Sequence, residues 1–185
     1  MSYFSSTQAT ELLLQALENG HSAFLEVTSD SMAPLFHRGD QIQLSPVSFA
    51  GPVPGDIIVI GLPGDLLAHR LCGLTESGGR RCLITRGDRL AYYDTVTPFS
   101  QLRAIVTGRR RRNRYLDFAQ GTGAWLNHRL AQLSRLETRV MRLPHPSAGV
   151  GTKQLTQSGL IRRLLRRALY TIAILLTWLV DNLPI

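Results

Sequence analysis

Gly55-Asp56-Ile57-Ile58-Val59-Ile60-Gly61-Leu62-Pro63-Gly64-Asp65-Leu66-Leu67-Ala68-His69-Arg70-Leu71 is the stretch that decides the fold class. Two short apolar runs are cut by Pro-Gly-Asp, and neither continues long enough at helical spacing to bury a stripe. The same grammar extends outward in both directions. β-like runs at 23–28, 41–44, 56–60, 66–74, 82–85 and 103–107 are punctuated by Arg38-Gly39-Asp40, by Gly51-Pro52-Val53-Pro54-Gly55-Asp56 and by Arg86-Gly87-Asp88. Gly, Pro and Asp favour turns through permissive φ, fixed φ and local side-chain hydrogen bonds. Residues 22–108 are therefore expected to form a small, mainly antiparallel β domain. Within it, 66–74 and 82–85, joined through Glu76-Ser77-Gly78-Gly79, are expected to pair as a hairpin.

The flanks are helical in pattern. In residues 1–21, a short amphipathic helix over 7–19 carries Leu12, Leu13, Leu14 and Leu17, and Asn19-Gly20 stops it. After Gly108 come Arg109-Arg110-Arg111-Arg112-Asn113-Arg114 and a helix over about 124–143. Its expected apolar stripe is Leu126, Leu130, Leu133, Leu136 and Val140, with Arg129, Arg135, Arg139 and Arg142 elsewhere. Residues 109–143 thus form a basic segment with its helix, and 144–158 read as a linker from their Pro, Ser and Gly content. Residues 159–185 open with Arg162-Arg163 and Arg166-Arg167 and run into 13 apolar-rich residues, 168–180. A helix needs roughly 20 to cross a bilayer, so this tail is expected to lie in the interface.

The chain has 185 residues, 44% of them hydrophobic and 18% charged, with mean hydropathy near zero. Such a composition buries a core and excludes both global disorder and a polytopic membrane protein. The net charge of +8 is unevenly placed: residues 1–102 hold 6 arginines against 10 acids, and residues 103–185 hold 15 basic residues against 3. An anionic membrane surface is the expected partner of the basic half. Nucleic acid is not expected, because Tyr115 is the one aromatic beside the arginine run and some 20 leading residues are too few for a DNA-binding domain. No Cys-x-x-Cys or His-x-x-x-His spacing occurs, so neither a metal nor a cofactor is expected. Cys72 and Cys82 flank the Gly-rich hairpin turn, which makes a disulfide geometrically possible. A reducing compartment is the expectation, since residues 1–20 show no basic segment leading into an apolar core.

The chemistry gathers around Ser29-Asp30-Ser31-Met32-Ala33-Pro34-Leu35-Phe36-His37-Arg38-Gly39-Asp40. This stretch resembles the type I signal peptidases, whose superfamily includes the LexA-like repressor autoproteases and whose Ser-Met-x-Pro motif carries the nucleophile, here Ser31. Three more blocks follow in the family's order: Gly55-Asp56-Ile57-Ile58-Val59, Leu67-Ala68-His69-Arg70-Leu71 and Thr85-Arg86-Gly87-Asp88. The resemblance covers residues 22–108 and implies the histidine-base branch, with His69 at the base position. Lys153, the chain's one lysine, lies far outside the β domain.

A serine hydroxyl becomes a useful nucleophile when a neighbouring base takes its proton, and an imidazole suits that task near neutral pH. A carboxylate must then hold the imidazole in the productive tautomer. Asp88 and Asp94 are the candidates, and both match positions implicated by the resemblance; Asp88 is favoured as the orienting residue. The backbone N–H of Ser31 and the Ser29 hydroxyl are the expected oxyanion donors. Asp40 and Asp56 read as turn formers, and His21, His37, His128 and His145 as surface residues. Asp30 departs from the glycine that the family commonly places before the nucleophile, and a carboxylate there is expected to disfavour an oxyanion or to restrict the turn.

The resulting expectation is a serine endopeptidase that cleaves a leader or signal peptide after a small residue. It pairs the substrate with an edge strand at or facing 23–28, and it sits on the cytoplasmic face as a peripheral or C-terminally anchored protein. Two other readings stay open: a catalytically inactive, membrane-associated peptide-binding protein of the same fold, and a DNA-bound LexA-like autoprotease.

Overall fold

The computed structural model describes residues 6–141 and 160–183; Arg142 and the expected linker lie outside them. The described residues form a mainly β structure, an eight-stranded antiparallel sheet with one short helix before it and two longer helices after it. The strands are β1 (Ala23–Glu26), β2 (Gln41–Ser45), β3 (Ile57–Leu62), β4 (Asp65–Ser77), β5 (Arg80–Arg86), β6 (Thr97–Pro98), β7 (Leu102–Arg111) and β8 (Arg114–Asp117). Their order is β1-β2-β7-β3-β4-β5-β6, with β8 added on β7.

β3 sits in the middle of this sheet and is apolar on both faces for that reason. Ile57 and Val59 point into the larger core with Leu35, Phe36, Ile42, Leu44 and Val106. Ile58 and Ile60 pack on the other face with Leu71 and Leu83. The hairpin expected between 66–74 and 82–85 is present and longer, β4 with β5, turning at Gly78-Gly79. Its register sets Cys82 opposite Thr75, while Cys72 falls in a bulge between Leu71 and Gly73. Both thiols are therefore free, and burial pushes that of Cys72 up to about 11.

Helix α1 (Ser6–Glu18) lays Leu13, Leu14 and Leu17 on the larger core. It ends where Gly20 takes φ +82°, with bonds from Gly20 N–H to the Leu17 carbonyl and from His21 N–H to the Ala16 carbonyl. That paired closure is why glycine serves as the stop.

Helix α2 (Gly121–Met141) starts earlier than its apolar stripe implies; Leu126, Leu130 and Leu133 face the core as expected, and the second half of the helix turns a different side inward. Leu126, Leu130, Ala131, Ser134, Glu137 and Met141 are buried, whereas Leu136 is exposed. Two polar residues occupy the inner face because a fully buried guanidinium meets them there. Arg86 donates to the Ser134 hydroxyl (2.6 Å) and to Glu137 (3.0 Å). Burial works against the charge on Arg86, and Glu137, with smaller contributions from Cys72 and Asp88, together more than offset it, leaving the pKa raised.

The arginine run does not form a free cationic patch. β7 continues through it and β8 returns, with Arg109 opposite Leu116 and Arg111 opposite Arg114. Arg109 is buried and bonds to Asp181 and to the Leu35 carbonyl. Arg111 is shared between Asp40 (2.7 Å) and Asp181 (2.6 Å). Arg114 reaches the carbonyls of Asp181 and Leu183, the negative end of α3 (Leu160–Asn182). Three of the five arginines between 109 and 114 thus fasten the end of α3, which also buries Ala173, Thr177 and Val180. No helix among the described residues is long and apolar enough to cross a membrane.

Candidate active site

Ser31 lies in the turn that follows β1, and the residues after it explain why the turn is rigid. Met32, Leu35 and Phe36 are almost wholly buried in the larger core. The backbone closes over them through bonds from Ala33 N–H to the Asp30 carbonyl and from Phe36 N–H to the Met32 carbonyl, both 3.1 Å. The Ser31 hydroxyl is left at the surface of this plug, and its carbonyl accepts from Arg89 N–H at 2.9 Å.

His69 comes from the middle of β4, opposite Ile58, and is 3% exposed. Its Nε2 lies 3.0 Å from the Ser31 Oγ, and its Nδ1 lies 2.6 Å from Asp94 Oδ2. The same Asp94 oxygen accepts the Thr85 hydroxyl at 2.7 Å. A carboxylate bonded at Nδ1 fixes a proton there, which leaves Nε2 with its lone pair toward the serine hydroxyl. The Ser29 hydroxyl is 3.3 Å from the Ser31 Oγ.

The structure therefore brings Ser29, Ser31, His69 and Asp94 together, and it sets Asp88 elsewhere. The expectation that Asp88 orients the imidazole gives way to Asp94, and the reason is Arg70. That guanidinium, 2% exposed, takes both Asp88 oxygens at 2.8 and 2.6 Å. It also donates to the Gly55 carbonyl and to Asn127 on α2, each at 2.8 Å. A bidentate pair of this kind engages both carboxylate oxygens and holds the group in place.

Asp30 does not intrude on the nucleophile. Its carboxylate accepts from Arg38 N–H at 3.1 Å and lies 3.5 Å from His37. Among the described residues Arg112 is the one non-glycine position with positive φ, so the turn at Asp30 has no need of glycine. Asp40 and Asp56 do form turns, accepting from His37 N–H and Val53 N–H; Asp40 adds the ion pair to Arg111.

Two residues of the Thr85-Arg86-Gly87-Asp88 block contribute more than the sequence reading assigned them. Thr85 caps Asp94, as above. Gly87 makes room: a Cβ there would meet the Ser31 carbonyl oxygen at 2.7 Å and His69 Nε2 at 3.0 Å. Turn chemistry explains a glycine at this position in sequence, and only the fold shows that it is the back wall of the site.

Ser31 opens onto a small cleft of about 60 Å³, lined by Leu25 and Val27 on one side and Leu66, Leu67 and Ala68 on the other. β1 is the terminal strand of the sheet and pairs only with β2. The first residues of β4 pair with β3 alone, because β5 engages β4 only from Arg70 onward. Each wall thus retains an open strand edge.

Two curated relatives were found, the signal peptidase complex catalytic subunit SEC11 from two strains of Candida albicans. Each is 33% identical over 93 residues, covering 49% of this chain and 55% of theirs, so the chain spans about half the length of the curated relatives it matches. No protein-family profile matches the chain. The similarity is to part of a signal peptidase subunit and extends over about half of this chain.

Proposed function

We propose that the protein is a serine endopeptidase of signal-peptidase type. The observation that carries this reading is the His69 imidazole, bonded to the Ser31 hydroxyl through one ring nitrogen and to Asp94 through the other. In the proposed reaction Ser31 Oγ attacks the scissile carbonyl as His69 Nε2 takes its proton. Asp94 stabilises the imidazolium, and His69 returns the proton to the leaving amine. The Ser31 N–H and the Ser29 hydroxyl face the developing oxyanion. Water then releases the acyl group from Ser31 with the same base.

The substrate in this reading is an extended leader or signal peptide, laid as a strand against β1 with its backbone paired to the open edge. The narrow cleft beside Ser31 favours a small side chain before the scissile bond. Incubating the purified chain with peptides carrying Ala-x-Ala before the cleavage point should yield products that Ser31→Ala and His69→Ala each abolish, with circular dichroism unchanged. Equal product from wild type and both variants removes the mechanism; peptide binding without cleavage by wild type makes the protein an inactive peptide binder.

The proposed attachment to an anionic membrane surface rests on α3. Ile161, Leu165, Leu175, Trp178 and Leu179 are exposed along it, and Arg163 and Arg167 are exposed near its start. An amphipathic helix with that face binds in the interface, apolar side down and guanidiniums on phosphate. Cosedimentation with phosphatidylcholine vesicles should rise sharply when a third of the lipid is phosphatidylglycerol and should fall in Leu175→Glu. Binding indifferent to both changes rejects the surface.

A further inference from the structure

The loop 87–94 carries Asp94 at one end and backs Ser31 at the other, and its outer side is held by both C-terminal helices. Arg86, which is fully buried, donates through one nitrogen to the Leu90 carbonyl (2.9 Å) and to Glu137 Oε2 (3.0 Å). Arg166 on α3 donates to Glu137 Oε1 (2.8 Å) and to the Arg89 carbonyl (2.7 Å). One carboxylate on α2 thereby aims two guanidiniums, and each guanidinium grips a carbonyl of the same loop. Arg89, whose carbonyl is so gripped, is also the residue whose N–H bonds to the Ser31 carbonyl at 2.9 Å.

We propose that Glu137 is a positioning residue for the active site: through Arg86 and Arg166 it fixes the 87–94 loop so that Asp94 meets His69 and the Ser31 turn is braced from behind. The proposal rests on the Ser31–His69–Asp94 reading and extends it to a residue on a helix outside the β domain. The chemistry requires a carboxylate with both oxygens engaged. A neutral amide accepts through one oxygen only, so the two guanidiniums lose their common anchor while the helix itself is preserved. A further consequence is that α2 and α3 belong to the catalytic apparatus of the chain as well as to its surface.

The test uses the full chain and two readouts. A proton held in a short His–Asp hydrogen bond resonates far downfield, so the Nδ1 proton of His69 reports directly on the contact with Asp94. Glu137→Gln should shift or erase that resonance. It should also lower kcat on the Ala-x-Ala peptide by about 10- to 100-fold, as expected for a misplaced catalytic group, with KM changed less than about twofold. Glu137→Asp should recover a large part of both signals, and Arg139→Ala, exposed on the same helix, should change neither. A folded Glu137→Gln protein that keeps the resonance and kcat overturns the proposal, as does a loss shared equally between kcat and KM with the resonance intact. If Glu137→Gln does not fold, Arg166→Gln carries the test. It removes the grip on the Arg89 carbonyl from a partly exposed position, and an unchanged resonance and kcat there are equally fatal. Should wild type fail to cleave, the proposed activity falls while the resonance still decides the positioning role.

Discussion

The cleft side and the helix side of the 87–94 loop treat charged and polar groups differently. Facing the helices, both oxygens of Asp88 are taken by Arg70, and the third nitrogen of Arg70 donates to Gly55 and to Asn127. Facing the cleft, Asp94 receives His69 and Thr85 on one oxygen, and the Ser31 hydroxyl is shared with His69 and Ser29. A carboxylate held by both oxygens in a bidentate pair is fixed by its partner's geometry, whereas one bonded to an imidazole can respond to that ring's charge. Two acids six residues apart thus have unlike partners, Asp88 the Arg70 guanidinium and Asp94 the His69 imidazole.

The largest effect that sharpens this contrast comes from making the same substitution at both acids. Asp94→Asn should lower kcat by about 10⁴-fold, the cost seen when a triad acid loses its charge and the histidine its tautomer, and should leave the melting temperature nearly unchanged. Asp88→Asn should do the opposite. Leaving the buried Arg70 guanidinium uncompensated costs about 3–5 kcal/mol, a fall of roughly 6–20 °C for a chain of this size, while kcat per folded molecule stays within about tenfold. A calorimetric melt paired with kcat decides it, and matching profiles for the two variants would erase the distinction.

How far this arrangement is legible in the sequence follows from the same contrast. The sheet is legible because its alternation and its Gly, Pro and Asp turns are local, although the two-residue β6 and four-residue β8 are too short to leave a pattern. The pairing of Ser31 with His69 is legible through ordered blocks. Choosing between Asp88 and Asp94 is not, since it turns on where the neighbouring Arg70 side chain goes. The second half of the inner face of α2 is misread for a related reason: Ser134 and Glu137 look like solvent residues until a buried Arg86 stands opposite them. The run at 109–114 looks like a cationic surface because its counter-ions, Asp40 and Asp181, lie 71 and 70 residues from Arg111. Composition records charge, and long-range pairing decides whether that charge is free.

A smaller effect is expected where the loop touches the nucleophile without any charge at all. Gly87→Ala places a methyl group 2.7 Å from the Ser31 carbonyl oxygen and 3.0 Å from His69 Nε2, so the loop and the serine turn must separate. Displacement on the scale of an ångström costs about 10²-fold in rate. Steady-state kinetics should show that loss mainly in kcat. Wild-type kcat in Gly87→Ala would mean that the back wall yields freely and that the cleft side is less rigid than its contacts imply.

The smallest effect is expected at Asp30, the residue that departs from the family's glycine. Its side chain accepts from Arg38 N–H and lies beside His37, so its charge is directed along the 37–38 turn and not toward the hydroxyl of Ser31. The Arg38 amide bond is the main reason its pKa lies below the ordinary 3.8, opposed by slight desolvation and aided by His37. Because the folded value is the lower one, whatever the contact contributes is present above the ordinary value and is lost as pH falls through the depressed one. At neutral pH the bond is therefore intact in folded protein, and the group, being partly exposed, is screened by water. Asp30→Gly should accordingly change kcat by no more than about threefold, since the turn already has the backbone geometry of an ordinary residue and the carboxylate is engaged elsewhere. A gain of a hundredfold in Asp30→Gly would instead locate an anionic brake on the cleft side, and would make the acid before the nucleophile a third kind of carboxylate in this site.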